Sequence, residues 1–175
     1  EAYSKVASSD ERTDYKMIHE YPLGGQPPFM THIFSKGNDA RIIAAKGSIE
    51  GILAVCNLAE DEREKIIKLV EQISSKGVRV LGVASGNFDG SEFPELQTSL
   101  HFTFLGLVSF YDPPKENVAN VISDFYKAGL QVKMITGDYP QTAASIAKEI
   151  GLRGNRVITG AQVMELKEKS LQHQV

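Results

Sequence analysis

The sequence contains one cysteine, no long apolar run and no excess of basic charge. Cys56 is the only cysteine among 175 residues, so no intrachain disulfide can form and a reduced cytosol is the expected compartment. No stretch approaches the roughly 18 apolar residues that cross a bilayer, and no signal pattern is present. A formal net charge of -3 argues against a nucleic-acid partner. These absences predict a soluble globular chain without direct membrane insertion.

The remaining composition allows one large domain or two small ones, since the apolar fraction is 42%. We find no internal repeat and no low-complexity segment. Cys56 stands in an apolar stretch beside Leu53 and Val55, and we expect it to be a small core residue.

The first part of the chain predicts an antiparallel sheet. Residues 17–21 and 29–34 are predicted strands joined by a hairpin across a Pro- and Gly-rich turn, and residues 40–45 form a third strand. Residues 78–84 and 102–110 are two further apolar strands separated by a polar loop. The expected class for this part is α+β.

A helix is predicted over residues 60–76, between the third and fourth strands. Acidic residues occupy its first turn and Gly77 follows its end, which is the capping chemistry of a helix. The apolar residues that this period places on one face are Ile66, Leu69, Val70 and Ile73.

After residue 110 the pattern changes to βα units, which predict part of a parallel α/β domain. One helix ends at Gly129, residues 132–135 form a strand, a second helix ends at Gly151, and a short strand and a further helix follow. The double proline in Asp112–Pro114 is stiff and is expected to act as a hinge. The apolar faces of the two helices are Val118, Val121, Ile122 and Phe125, then Ala143, Ile146, Ala147 and Ile150.

The turn after the predicted strand 132–135 has the composition of a phosphate site. Thr136 supplies a hydroxyl, Gly137 permits close backbone approach and Asp138 supplies a carboxylate, just before a helix. The free amides at a helix N-terminus favour an anion.

Two further motifs precede this turn in the sequence. Residues 46–50 read Lys-Gly-Ser-Ile-Glu and residues 112–115 read Asp-Pro-Pro-Lys. With Thr136-Gly137-Asp138, and with residues 77–81 reading Gly-Val-Arg-Val-Leu, the chain resembles the cytoplasmic region of P-type cation-transporting ATPases. The family patterns are Lys-Gly-Ala-Pro-Glu, Asp-Pro-Pro-Arg, Thr-Gly-Asp and Gly-Leu-Arg-Val-Leu.

The resemblance implies two domains and an ATP site. Residues 1–110 would be the nucleotide-binding domain, and residues 111–175 would be part of the phosphorylation domain, which has a haloacid-dehalogenase-like fold. It implies that Thr136, Gly137 and Asp138 hold the transferring phosphoryl group. The residues implied to bind nucleotide are Tyr21, as the adenine-stacking aromatic, Lys46, Gly47, Arg79, Asp112 and Lys115.

Four of the six nucleotide contacts have an ordinary structural alternative. Tyr21 fits a strand aromatic, Lys46 an exposed strand end and Arg79 a solvent-facing strand residue, while Asp112 fits a helix N-cap. Gly47, beside Lys46, would let a ligand approach the backbone closely.

Two motifs of the family do not occur in this sequence. One is Asp-Lys-Thr-Gly-Thr, whose aspartate is phosphorylated, and the other is the magnesium-binding Gly-Asp-Gly-x-Asn-Asp segment. The resemblance implies that both lie outside the two ends, so the chain is expected to be a fragment that binds ATP with Mg²⁺ but does not hydrolyse it alone. Its implied partners are the transmembrane and actuator domains of the same pump, at the cytoplasmic face of a membrane.

The kind of pump is narrowed in part. None of the four histidines precedes a proline or has ligand-like spacing, so no metal site is predicted, and the chain resembles the calcium, sodium, proton and magnesium pumps rather than the heavy-metal pumps. Two alternatives stay open: a soluble phosphatase of the haloacid-dehalogenase type, and a non-catalytic nucleotide-binding or interaction module.

Overall fold

The computed structural model describes residues 10–25, 28–37, 40–90, 92–154 and 156–165. The chain divides into two compact units. Unit 1 consists of Glu1–Lys68 and Val80–Ser109, and unit 2 consists of Leu69–Arg79 and Phe110–Val175. The short segment Leu69–Arg79 therefore belongs with the C-terminal part of the chain rather than with its neighbours in sequence.

A five-stranded sheet is the centre of unit 1. Its strands are β1 (Tyr15–Gly24), β2 (Phe29–Lys36), β3 (Ala40–Gly47), β4 (Arg79–Asn87) and β5 (Thr103–Phe110). They lie in the order β1-β2-β3-β4-β5, and β1 to β4 pair antiparallel. The prediction of an α/β chain with an antiparallel sheet and an early hairpin is confirmed.

Alternation along the strands gives the sheet one buried and one open face. Tyr21, Thr31, Ala45 and Ala84 are direct neighbours across four strands, and all four are buried. The core on this face also contains Phe29, Ile33, Ile43, Ile52, Cys56, Phe88, Leu100 and Phe102. The prediction that Cys56 is a core residue is confirmed, since it is 5% exposed.

Two helices separate β3 from β4. Helix α1 (Ile49–Val55) begins after Ser48, whose Oγ accepts a hydrogen bond of 3.1 Å from the amide of Gly51. Helix α2 (Glu60–Ser74) confirms the predicted helix. Within α2, Val70 is buried as expected, but Leu69 is 47% exposed. The buried side of α2 is therefore narrower than the apolar face predicted from the sequence.

Unit 2 contains the helices α3 (Val118–Lys127), α4 (Pro140–Glu149) and α5 (Gly160–Glu165). The helices were predicted, but the strand at residues 132–135 and the short strand after α4 do not form among the described residues. A parallel strand needs a neighbour for its amides and carbonyls, and the described part of unit 2 supplies none beside residues 132–135. Ile135 is 98% exposed as a result. The parallel, haloacid-dehalogenase-like part of the predicted fold is thus not seen.

Candidate functional site

Lys46 lies one residue before the end of β3, on the open face of the sheet. Its register neighbours are Met30 on β2 and Val83 on β4. The Lys46 side chain is exposed, and Met30 and Val83 are half-buried. Leu81, two residues before Val83, is also half-buried and belongs to the same face by the period of a strand. A cation therefore stands beside a small apolar surface.

Gly47 has a different reason to be glycine from the one expected. It is buried opposite Phe29 on β2 and Gly82 on β4. A Cβ at this position would overlap Phe29 and would lie 2.7 Å from the carbonyl oxygen of Pro28. The neighbouring strand fills the space on the Cβ side of Gly47, so packing in the sheet already requires glycine there. The nucleotide contact implied for Gly47 stays a prediction.

Ser48 fixes the chain directly after Lys46 and Gly47. Its amide donates to the carbonyl of Pro28 at 2.9 Å, and its hydroxyl caps α1. Ser48 had no predicted role of its own within the motif at residues 46–50. A serine directly before an apolar run is an N-cap signal, because its hydroxyl can accept a hydrogen bond from an amide of the first helical turn. This signal could have located α1.

Tyr21 lies on the buried face of the sheet and not on the face of Lys46. Tyr21 is 9% exposed, and its ring meets the ring of His19 edge-on, with the centroids 4.6 Å apart. Its hydroxyl donates a 2.6 Å hydrogen bond to the carbonyl of Pro94, and burial raises the pKa of Tyr21. So little ring surface is left that adenine stacking on Tyr21 is not met in this conformation.

Arg79 and the Thr-Gly-Asp turn meet within unit 2. The Arg79 Nε lies 3.5 Å from the Asp138 Oδ1. Thr136 Oγ1 donates to Asp138 Oδ2 at 3.0 Å and accepts from the Asp138 amide at 3.1 Å. The Arg79 side chain is 64% exposed and the Asp138 side chain 26%, so the ion pair is a weak one. The structure thus brings Arg79, Thr136 and Asp138 together, as a partly open cluster.

The surroundings of Gly137 fit close approach by a ligand. A Cβ there would meet nothing within 4 Å, so the packing of the protein does not demand glycine. The turn leads into α4, which has Pro140 at its start and no side-chain cap from Tyr139. Open space therefore adjoins Gly137, directly before the start of α4.

Asp112 and Lys115 are exposed. Helix α3 begins at Val118 with Asn117 at its N-cap, so the alternative interpretation of Asp112 as an N-cap is wrong. Neither side chain makes a hydrogen bond or ion pair in the part of the chain that the structure describes. They stand free on the connection into α3, and their roles stay predictions.

Thr142 on α4 contacts the segment that leads to Arg79, and it was not singled out from the sequence. Its side chain is 1% exposed, and its hydroxyl donates to the carbonyl of Val78 at 2.9 Å. Val78 immediately precedes Arg79. The signal in the sequence was a hydroxyl in the apolar stripe of a helix, which needs a buried partner.

The donors near the turn do not form a magnesium site. Mg²⁺ takes oxygen ligands in octahedral geometry, and no group of three or more His, Cys, Asp or Glu side chains is placed to hold a metal within the described ranges. The Asp138 carboxylate is engaged by Thr136 and lies beside Arg79. We therefore assign no step to a metal held by this chain.

The chain matches the family model described as P-type ATPase, cytoplasmic domain N, over residues 2–117. No helix among the described residues is long and apolar enough to cross a membrane.

Curated relatives agree with this match and are much longer. The chain is 32% identical over 145 residues to the sodium/potassium exporting P-type ATPase cta3 of Schizosaccharomyces pombe, covering 77% of this chain and 14% of that protein. It is 30% identical over 181 residues to the probable cation-transporting ATPase F of Mycobacterium tuberculosis, with 93% and 20% covered. A calcium-transporting ATPase of Bacillus subtilis is 26% identical over 176 residues, again with 93% and 20% covered. The chain therefore spans a fifth or less of these relatives.

Proposed function

Because the chain belongs to the P-type ATPase family and matches its cytoplasmic domain N over residues 2–117, we propose that it binds ATP for a cation-transporting pump. The observation that carries the proposal is the exposed Lys46 beside the half-buried Met30, Leu81 and Val83 on the open face of the sheet. A nucleotide has a flat, weakly polar base and a strongly anionic tail. This surface offers an apolar platform and a cation for such a ligand.

In this proposal the base lies against the apolar platform and not on Tyr21. Tyr21 would need to break its hydrogen bond to Pro94 and leave the core to expose a ring face. The Met30, Leu81 and Val83 side chains need no such change, since they already face outward. Lys46 then contacts the base or the phosphates, and Gly47 and Ser48 hold its backbone in place.

Unit 2 supplies the groups proposed for phosphoryl transfer. The Thr136 hydroxyl and the Gly137 amide position the phosphoryl group, while the Asp138 amide and carboxylate hold the Thr136 hydroxyl. Arg79 offsets the charge of the phosphoryl group with a planar, permanently charged side chain. Arg79 is loosely held, by an exposed ion pair to Asp138 at 3.5 Å. It can therefore exchange the Asp138 carboxylate for a phosphate at small cost. Asp112 and Lys115 are proposed to add contacts from the connection into α3.

The proposed domain division assigns residues 1–110 to nucleotide binding and 111–175 to part of the phosphorylation domain. The nucleophilic aspartate and the Mg²⁺ ligands would come from the rest of the pump, as would the actuator and transmembrane domains. We propose that the whole protein couples ATP hydrolysis, through an aspartyl-phosphate, to cation transport, and that this part lies at the cytoplasmic face. ATP would arrive as its Mg²⁺ complex.

The test is an NMR titration of the 175-residue chain with Mg-ATP, run with the Lys46→Ala variant and with Lys65→Ala as a matched control. Lys65 is also an exposed lysine, but it lies on α2 and pairs with Asp61. We expect saturable binding, weakened about tenfold or more by Lys46→Ala, because a charge-assisted contact contributes about 1.5 to 3 kcal/mol. Lys65→Ala should bind like the parent chain.

The shifted resonances are the second readout of this titration. Met30, Leu81 and Val83 should move on addition of Mg-ATP, and no phosphate should be released. Absence of binding by the folded chain would overturn the proposal and favour a non-catalytic interaction module. Release of phosphate by the chain alone would instead favour the soluble phosphatase.

A further inference from the structure

Three consecutive residues before and at the start of β4 each meet α4 or the turn that leads into it, all within unit 2. A Cβ on Gly77 would lie 3.3 Å from Ser145 Oγ. The Val78 carbonyl accepts from Thr142, and Arg79 pairs with Asp138. Thr142 and Ser145 are three residues apart, so they lie on one side of the helix.

These contacts differ greatly in strength. The Arg79 to Asp138 pair is long, at 3.5 Å, and the Arg79 side chain is 64% exposed, which is the class of ion pair that contributes little. The Thr142 hydroxyl is fully buried and its bond to Val78 is 2.9 Å long. Losing the Val78 carbonyl as a partner would leave the buried Thr142 hydroxyl without this bond, which is much more costly. The hydrogen bond at Val78 therefore fixes the position of the segment, and the ion pair at Arg79 adds little to it.

We propose that Thr142 is a positioning residue that sets Arg79 beside the Thr-Gly-Asp turn. The Thr142 hydroxyl fixes the carbonyl of Val78. Arg79, the next residue, then lies within reach of Asp138. The meaning of this placement for nucleotide rests on the proposed function, because Arg79 is proposed there as the phosphate contact. The placement itself depends only on the contacts within unit 2.

The other end of the segment is fixed independently. Gly77 has φ +75°, a conformation that favours glycine, and its amide donates to the carbonyl of Ser74 at 3.0 Å. Ser74 is fully buried at the end of α2. With Gly77 anchored to α2 and Val78 anchored to α4, the backbone that leads to Arg79 has little remaining freedom.

The test compares Thr142→Val, which keeps the shape but removes the hydroxyl, with Thr142→Ser, which keeps the hydroxyl. Thr103→Val, an exposed threonine on β5 in unit 1, is the control for the chemical change. Two quantities are measured in the 175-residue chain: the NMR signal and hydrogen exchange of the Arg79 Nε–H group, and the dissociation constant of Mg-ATP.

We expect Thr142→Val to shift the Arg79 Nε–H signal and to speed its exchange, and to weaken Mg-ATP binding about two- to tenfold, the effect of one hydrogen bond. Thr142→Ser should restore both, and Thr103→Val should change neither. An Arg79 signal that is the same in Thr142→Val and the parent chain would overturn the inference. If the parent chain binds no Mg-ATP, the proposed function fails, while the Arg79 signal still decides the role of Thr142.

A second variant covers the case in which Thr142→Val does not fold. Asp138→Asn removes the ion pair but keeps the bond between Thr142 and Val78. We expect the backbone amides of Gly77, Val78 and Arg79 to keep their exchange protection in Asp138→Asn. Loss of protection there would show that the ion pair holds the segment, and would overturn the inference.

Discussion

The hydroxyl of Tyr21 donates a 2.6 Å hydrogen bond to the carbonyl of Pro94, which lies 73 residues further along the chain. The bond joins β1 to the polar loop between β4 and β5. It makes Tyr21 a residue that holds the fold, whereas the family resemblance had implied that it stacks on a base. The two roles respond differently to removal of the hydroxyl.

Tyr21→Phe keeps the ring and removes this hydrogen bond. We expect the free energy of unfolding to fall by about 1 kcal/mol, with more if the Pro94 carbonyl stays unsolvated, and Mg-ATP affinity to stay unchanged. Urea unfolding and the titration described above measure the two effects. Tyr21→Ala also removes the ring and so separates the two roles. If Tyr21 stacked on adenine, this variant would lose Mg-ATP affinity at full stability, whereas a core residue should lose stability.

The same tyrosine predicts a loss of stability in alkali. Burial raises the pKa of Tyr21 above its ordinary value, so the folded state keeps its proton at a pH where the unfolded chain, with a pKa of about 10, has lost it. The stabilisation is complete below that unfolded value and is lost as the pH rises towards the folded value. The free energies of unfolding of the parent chain and Tyr21→Phe should therefore converge as the pH rises from 9 to 11. Lysine titration affects both proteins alike and does not change the difference between them. A constant difference would contradict the burial of this hydroxyl.

Two glycines provide a matched pair of variants. Gly47→Ala places a methyl group against Phe29 and 2.7 Å from the Pro28 carbonyl, and overpacking of this kind costs about 1 to 3 kcal/mol of stability. In Gly137→Ala the added methyl group meets nothing within 4 Å. The free energy of unfolding of this variant should equal that of the parent chain to within about 0.5 kcal/mol. Equal stability of the two variants would mean that β2 does not lie against Gly47.

Cys56 is expected to react slowly with thiol reagents. It is 5% exposed in the core, and burial raises the pKa of its thiol, which lowers the fraction of reactive thiolate. Because it is the only cysteine, its labelling rate with a maleimide reports a single site. The rate should rise steeply across the urea transition, and rapid labelling in the absence of urea would contradict the packed core.

Most of unit 1 could be predicted because its patterns are local. The helix at Glu60 carries both its apolar period and its acidic first turn, and the strands carry β-branched or aromatic residues between turn signals. Helix α1 was missed because Ile49–Val55 is too short to show a period, and only the Ser48 cap marks it.

The face on which Tyr21 lies could not be predicted from its neighbours in sequence. A strand alternates its side chains, so one extra residue reverses every assignment beyond it. The pairing of β1 with β2 is irregular between Met17 and His19 and again between Tyr21 and Gly24. These irregularities depend on the partner strand, and they decide whether Tyr21 or its neighbour points to the core.

The prediction of a strand at residues 132–135 was wrong for a different reason. Its sequence favours β structure, but a strand also needs the hydrogen bonds of a neighbour, which the described part of unit 2 does not contain. At the turn itself, the sequence predicted that Thr136 and Asp138 lie together, and the structure adds Arg79 and Thr142. Those contacts bridge distant parts of the chain, and no local pattern specifies them.

The bond between Val78 and Thr142 also sets an order of events on the ribosome. The two residues are 64 positions apart, and at about 5 to 20 residues per second the ribosome needs roughly 3 to 13 s to make the interval. During that time Leu69–Arg79 has no C-terminal helix to pack on, although β1 to β3 have already emerged. In this chain the segment that leads to Arg79 therefore waits for its partner on α4 while the first sheet assembles, and a pause in translation before Thr142 would lengthen that wait.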